Sequence, residues 1–474
     1  MVVTAVEAGS SARAMAGAVA RREISARELL ELHLERIAER NGDRDAGVNA
    51  IVGLDVERAR EGATVADAHQ AAGAPLGPLH GLPFAVKDTH RLAGWRTTFG
   101  SPLFADHVPD VDDLPVERVR RAGVVLLGRT NTPELAAGSH TFNPVHGTTR
   151  NPADLTRSAG GSSGGAAAAL AAGMVPLADG SDMGGSLRNP ASFCGVVGLR
   201  PSLGRVPTWP VANQWEVTAT YGPLARTADD VALLLGVQAG PDPRAPQALG
   251  DPGHLLGAPL PLGARALRGL RVAWSLDLGR LFPVDDAVAR VVEEAGRLMA
   301  RNGAKVFAAA PDLSEADTTF RTLRAWHLHA SYGELLARNP GGIKPALAEN
   351  IRAGALLTGR DVDRAYRART ELGERMRRFF ADYDVLALPA AQVPPFPVEE
   401  EYPAQVAGEP VRDYLDWMRA AYLITVTGCP AISVPAGTTP EGWPVGVQLV
   451  APHGADRRLL EVAAALEAAS GSSR

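Results

Sequence analysis

Apolar residues at helical spacing open the chain. Ser25-Ala26-Arg27-Glu28 carries the capping-box pattern, Ile24 and Leu29 are placed as a hydrophobic staple, and Leu30, Leu34 and Ile37 continue the stripe. A helix is therefore predicted from Ser25 to near Asn41-Gly42. Residues 49–52 read as a short strand, and a polar helix follows to about Ala72. The stretch 77–88 is a turn running into the apolar strand Phe84-Ala85-Val86, which puts Lys87 at or just past a buried strand end. A helix around residues 116–122, broken at Gly123, precedes Val124-Val125-Leu126-Leu127. Such an unbroken apolar run marks a strand covered on both faces.

The alternation continues downstream. A Gly/Ser loop at residues 158–165 opens a helix over 166–172, and Thr227 with Asp230 caps another through Leu235. Residues 236–263 are rich in Pro and Gly and read as a long surface connection. From about 270 to 420 strands at 270–274 and 385–388 alternate with helices at 286–302 and 360–380. Two closing strands, 431–434 and 445–450, are joined by the turn Pro440-Glu441-Gly442-Trp443. No repeat of fixed period occurs, and low complexity is confined to the last few residues.

Composition narrows the class. A chain of 474 residues exceeds the roughly 250–300 at which one core usually stops growing, so several domains or one large α/β unit is expected. The apolar share of 46% with 21% charged residues excludes a disordered or collagen-like chain. A net charge of −5, with no basic block, gives no reason to expect nucleic acid or an anionic membrane. Cys194 and Cys429 lack CxxC spacing, which argues against a disulfide scaffold or thiolate metal cluster and fits a reducing cytoplasm. The N-terminus lacks the basic start and apolar run of a signal peptide. Residues 166–178, interrupted by Gly173 and Pro176, fall short of the roughly 20 needed to span a bilayer.

Three features call for one explanation: a lysine at a buried strand end, the loop Gly160-Gly161-Ser162-Ser163-Gly164-Gly165, and Gly184-Gly185-Ser186 beyond it. Singly, each has a bland reading. Lys87 could be a solvated lysine and Ser186 a turn serine, and the first loop a flexible linker or a phosphate-binding loop, although the GK[ST] ending of a P-loop is missing. Gly160 to Gly164 also satisfies G-x-S-x-G, the nucleophile elbow of α/β-hydrolases, which would make Ser162 the nucleophile of an esterase-like enzyme with His453 in its triad. That elbow follows a buried strand, whereas residues 151–159 are polar and contain Pro152.

Taken together, GPLHGLPFAVKD around Lys87, the continuous AGGSSGGAAAALAAGMVPLADGSDMGGSLRNPASFCGVVGLRPSLGRV from Ala159 to Val206, and GPLARTADDVALLL from Gly222 resemble the amidase signature family. The closing CPAISVPAG and WPVGVQLV extend the likeness to the end of the chain. The resemblance implies an α/β fold made as a single large unit, a twisted mixed β-sheet covered by helices on both sides. It places a signature core at about 65–235, a substrate-shaping insertion at about 240–420 and closing strands and helix at 421–474. It also implies Ser186 as nucleophile, Ser162 as bridging serine after a cis peptide, Lys87 as general base, and the backbone N–H groups of Met183, Gly184, Gly185 and Ser186 as an oxyanion hole. Ser163, Asp182 and Arg188 fall at supporting positions. A lysine can serve as base only if desolvation or neighbouring charge lowers its pKa.

The expected reaction is cleavage of amide-type C–N bonds, in amides, anilides or carbamates, without metal or organic cofactor. No ligand cluster of recognised spacing occurs, and His327 with His329, two apart on a predicted helix, point to different sides. Asn131-Thr132-Pro133-Glu134-Leu135 resembles the free-standing hydrolases more than the amidase component of the glutamyl-tRNA amidotransferase, the alternative within the family. A monomer or homodimer is expected, acting on a small molecule. Phe142, Trp209, Trp215, Trp326 and Tyr332 are candidates for lining the substrate pocket, and Cys194, beside Phe193 and Val196, reads as buried packing.

Overall fold

The computed structural model of the protein describes residues 6–42 and 46–471; the Ser-rich end at 472–474 lies outside them. Side chains along one strand show how the layers are built. In Val385–Pro389, Val385 and Ala387 enter one apolar core while Leu386 and Leu388 enter another. A period of two does this wherever both faces of a sheet are covered.

Three strands, β1 (Ile51–Val52), β2 (Pro83–Lys87) and β3 (Val125–Thr130), form a small sheet in the order β1-β3-β2, with β2 and β3 parallel. Eight more form the main sheet: β4 (Leu177–Asp182), β5 (Val197–Arg200), β6 (Thr220–Ala225), β7 (Arg271–Trp274), β8 (Lys305–Ala308), β9 (Val385–Pro389), β10 (Ala431–Thr438) and β11 (Pro444–Val450). Their order is β8-β7-β9-β11-β10-β5-β6-β4. β7 is parallel to β8 and β9, and the remaining pairs are antiparallel, so the sheet is mixed. The span 240–420 supplies β7, β8 and β9 and is thus woven into this sheet.

Helices cover both faces. On one, Ala228–Gln238, Asp286–Arg301 and Asp456–Ser470 bury Leu234, Val292 and Leu460 in the same core as Val272, Ile432 and Val447. On the other, Ala316–Arg338, Gly359–Asp382 and Arg419–Thr425 bring Phe320, Leu372 and Leu423 into the core that holds Ala273, Leu386 and Val450. Each fully buried side chain of this size contributes about 1.5–3 kcal/mol. Among the described residues no helix is long and apolar enough to cross a membrane.

Local rules hold where they were strongest. The capping box forms, with the Glu28 N–H given to Ser25 Oγ at 3.1 Å and the Ser25 N–H to Glu28 Oε2 at 2.9 Å. The Pro/Gly-rich stretch 236–263 departs from expectation. It is not merely a surface connection, because it contains the short helix Gly253–Gly257 and buries Ala245, Leu256 and Leu260. The reason is a glycine contact: a Cβ on Gly236 would stand 2.5 Å from Gly257 Cα, so the two backbones can touch only without side chains.

Candidate active site

Lys87 closes β2, all five of whose residues are buried, and its side chain enters a cluster of serines. Nζ lies 2.8 Å from Ser162 Oγ, 3.0 Å from Ser163 Oγ and 3.3 Å from Ser181 Oγ. The residue is 0% exposed. Burial brings its pKa down to about 7, against the opposing pull of the Asp179 and Asp182 charges. An amine in that range can take and return a proton at neutral pH.

Ser162 stands between a hairpin, Arg150–Asn151 with Asp154–Ser158, and the buried helix Gly164–Ala171. The Gly161–Ser162 peptide is cis. Residues 139–141 clamp the loop: Ser139 Oγ donates to Gly161 O at 2.5 Å, and Thr141 Oγ1 donates to Gly160 O at 2.8 Å and accepts the Gly164 N–H at 3.2 Å. Nothing in the sequence motif announced this clamp.

Ser186 lies in the turn after β4, and Asp182 holds that turn. Its Oδ1 accepts the Gly185 N–H at 2.9 Å and its Oδ2 the Leu187 N–H at 3.1 Å, while Arg188 closes a two-pronged ion pair at 2.8 and 3.0 Å. Burial pushes the Asp182 carboxyl up, but the Arg188 and Arg200 charges outweigh it and hold it far below the usual range. Arg188 also reaches Ala421 O at 2.8 Å, Gln448 Oε1 at 2.6 Å and Thr425 Oγ1 at 3.0 Å, which ties the turn to the far side of the core. The Ser163 N–H donates to Ser186 O at 3.2 Å and so joins the two serine segments.

The four expected oxyanion donors do not behave alike. The Gly185 N–H is already given to Asp182, whereas those of Met183, Gly184 and Ser186 have no partner among the described residues. Gly185 must be glycine: its φ is 107°, and a Cβ would stand 2.5 Å from Ala421 Cβ. Ser186 Oγ makes no hydrogen bond among the described residues, which leaves it free to turn.

The sequence reading missed several groups. Ser181, two residues after Asp179 on β4, lies near the ammonium. Asp179 takes the Lys87 main-chain N–H at 2.9 Å. A D-x-S pair at strand spacing was a readable signal. Phe320 Cζ and Met418 Cε come within 3.5 and 3.8 Å of where a Gly184 Cβ would be, and Met183 packs in the same apolar cluster.

The five proposed aromatic contacts have their own neighbours. Phe142 meets His140 and Lys344, Trp209 stacks with Arg244, Trp326 meets Tyr366, and Trp215 is 65% exposed. Tyr332 packs on the cluster of Leu328 and Ile343. Arg91 donates at 2.7 Å to the carbonyl oxygen of Pro210, the residue after Trp209.

The elbow reading lacks its base. His453 is exposed, with Nε2 3.0 Å from Leu203 O, and the side-chain partner of Ser162 is Lys87. His327 and His329 both lie on the helix Ala316–Arg338, and among the described residues no group of three or more His, Cys, Asp or Glu is placed to hold a metal. Cys194 is buried, and burial raises its thiol pKa. A cavity of about 790 Å³ opens between Arg36, Arg226 and Glu467, and none of the serine cluster lines it.

Known proteins share this chain's sequence and fold over nearly its whole length. The chain is 38% identical to an acylamidase of Rhodococcus erythropolis over 461 residues, covering 97% of this chain and 95% of that protein. It is 35% identical to a component of the glutamyl-tRNA(Gln) amidotransferase of Acidothermus cellulolyticus, covering 96% of this chain and 93% of that one. A solved bacterial aryl acylamidase of the amidase signature family superposes with a TM-score of 0.89 at 30% identity, covering 97% and 96% of the two chains. The Amidase family model matches residues 28–460, and the chain belongs to the amidase signature family as an amide-hydrolysing enzyme.

Proposed function

We propose that the protein hydrolyses small acyl anilides and related amides or carbamates through an acyl-enzyme on Ser186, with Ser162 and Lys87 as its proton relay. The observation that carries this reading is the buried Lys87 amine, 2.8 Å from Ser162 Oγ with a pKa brought down to about 7. Ser186 Oγ turns toward Ser162 and attacks the carbonyl carbon. Its proton passes to Ser162 Oγ, whose own proton passes to neutral Lys87 Nζ. Collapse of the tetrahedral intermediate breaks the C–N bond, and Ser162 returns a proton to the departing nitrogen while Lys87 restores its own. Water then cleaves the acyl ester by the same relay in reverse. The N–H groups of Met183, Gly184 and Ser186 stabilise the oxyanion, and the Asp182–Arg188 pair fixes the turn that presents them. Phe320, Met418 and Met183 supply an apolar wall suited to an apolar acyl or aryl group, consistent with similarity to the two acylamidases.

Labelling with a fluorophosphonate followed by peptide mass spectrometry tests the assignment. The adduct is expected on Ser186, absent in Ser186→Ala, and formed slowly in Ser162→Ala. An adduct on Ser162 refutes it. The purified chain alone is expected to release p-nitroaniline from simple acyl anilides. Silence on every anilide, carbamate and primary amide tried would favour a component that needs partners, in line with the amidotransferase likeness.

A further inference from the structure

Two strands that are otherwise closed open at a single rung beside Lys87. In β4 every residue but Ser181 is buried, and in β6 every residue but Tyr221. These two are direct partners across the antiparallel pair. Residues so placed show their side chains on one face of the sheet, with Cβ atoms about 4.5–5.5 Å apart. Ser181 Oγ lies 3.3 Å from the amine of Lys87, which is itself fully buried. The opening therefore leads to the relay, and Tyr221 forms one side of it.

The Tyr221 ring is held in place from two directions. Its hydroxyl donates to Asp113 Oδ2 at 2.7 Å, an oxygen that also takes the Arg91 main-chain N–H at 2.9 Å. Burial pushes the phenol pKa well above its ordinary value and the Asp113 charge adds to this, so the hydroxyl stays a donor near neutrality. Beside the ring lies that of His90, 4.2 Å between centroids and tilted by 36°. His90 is fixed in turn, its N–H donating to Lys87 O at 2.9 Å and its Nδ1 lying 2.5 Å from Asp179 Oδ2. Tyr221 also packs against the core of Leu199 and Ile432. A residue serving that core alone would be closed off like the rest of β6.

We propose, on the footing that Ser162 and Lys87 form the relay, that Tyr221 is a specificity-determining residue whose ring walls the leaving-group side of the site and favours amides of aromatic amines. The side follows from the chemistry. The departing nitrogen must reach Ser162, which returns its proton, and Ser162 Oγ and Ser181 Oγ share the Lys87 amine at 2.8 and 3.3 Å. The oxyanion instead faces the N–H groups of Met183, Gly184 and Ser186. An aryl ring on the nitrogen thus comes to lie along Tyr221, where offset or edge-to-face contact between rings adds to the apolar area buried. A tethered ring has little rotamer freedom left to lose when the substrate binds.

The test compares kcat/KM, which covers the steps up to acylation, for the wild type, Tyr221→Phe and Tyr221→Leu over two series. One holds the acetyl group and varies the amine among aniline, p-nitroaniline and butylamine. The other holds p-nitroaniline and varies the acid among acetic, butyric and benzoic. Tyr221→Leu is expected to lose about tenfold on the anilides relative to the butylamide, by the same factor whatever the acyl group. Tyr221→Phe is expected to keep the wild-type preference, because the ring survives the loss of its tether. Product inhibition supplies the same comparison where the butylamide is too slow to follow: aniline should bind the leucine variant about tenfold more weakly than the other two, and cyclohexylamine all three alike. Tyr221→Met repeats the test should the leucine variant fail to fold. A loss that follows the acyl group, a uniform loss over both series, or inactivity of both aliphatic variants overturns the proposal. Labelling separates this from failure of the relay itself: Ser186 labelled with an unmoved preference removes only the Tyr221 role, whereas wild-type enzyme labelled on Ser162 removes both.

Discussion

Replacing Lys87 by methionine removes a titratable group from a fully buried position, and the response should be legible in stability as well as in activity. The amine ordinarily titrates at 10.5 and is brought down to about 7 in the fold. Between those values the unfolded chain holds a proton on Lys87 that the native protein has released. Native stability therefore rises with pH across this window, and the penalty for burying the amine, absent above the higher value, is complete below the lower. Each pH unit is worth about 1.4 kcal/mol, so the whole window amounts to at most about 5 kcal/mol. Lys87→Met also strips hydrogen bonds from Ser162, Ser163 and Ser181, which cost is largely independent of pH and shifts only the offset. The quantity to measure is the wild-type minus variant difference in unfolding free energy, from urea titrations at several pH values between 6 and 10. It should be flat near pH 6 and then climb in favour of the wild type. A difference that stays flat throughout would mean that Lys87 keeps an ordinary ammonium and cannot be the base.

Asp182→Ala should leave Arg188 and Arg200 as buried, unpaired cations and cost about 3–5 kcal/mol in denaturant unfolding, with activity lost as the Ser186 turn loosens. Gly185→Ala should abolish turnover of any anilide, since φ of 107° and a 2.5 Å approach to Ala421 Cβ exclude a side chain; an active variant would show that the turn is looser than described. The His453→Ala variant should retain near wild-type kcat/KM, and a dead variant would revive the elbow reading. Dialysis against a strong chelator should leave activity intact, and a loss restored by Zn²⁺ would show that a metal site had been missed.

Lys87, Ser162 and Ser186 were legible because their immediate neighbours are unusual: a lysine ending an apolar strand, and serines embedded among glycines. The helices at Ser25 and Thr227 were legible for the same reason, since caps and staples act over three or four residues. By itself the sequence determined these local elements, the α/β alternation and, through the long match from Gly160 to Arg200, the family. Tertiary structure decided everything that depends on which strand lies beside which. β4 pairs with β6 in a register that sets Tyr221 opposite Ser181, and β4 passes beside Lys87, so Asp179, 92 residues away, takes its main-chain N–H and Ser181 lies 3.3 Å from its amine. Phe320 and Met418 reach Gly184 from helical segments far along the chain, and Gly185 spends its N–H on a carboxylate three residues back. Periodicity reports which face a side chain takes. It does not report what faces it, because strand order and register are settled by packing of the whole sheet between its helices.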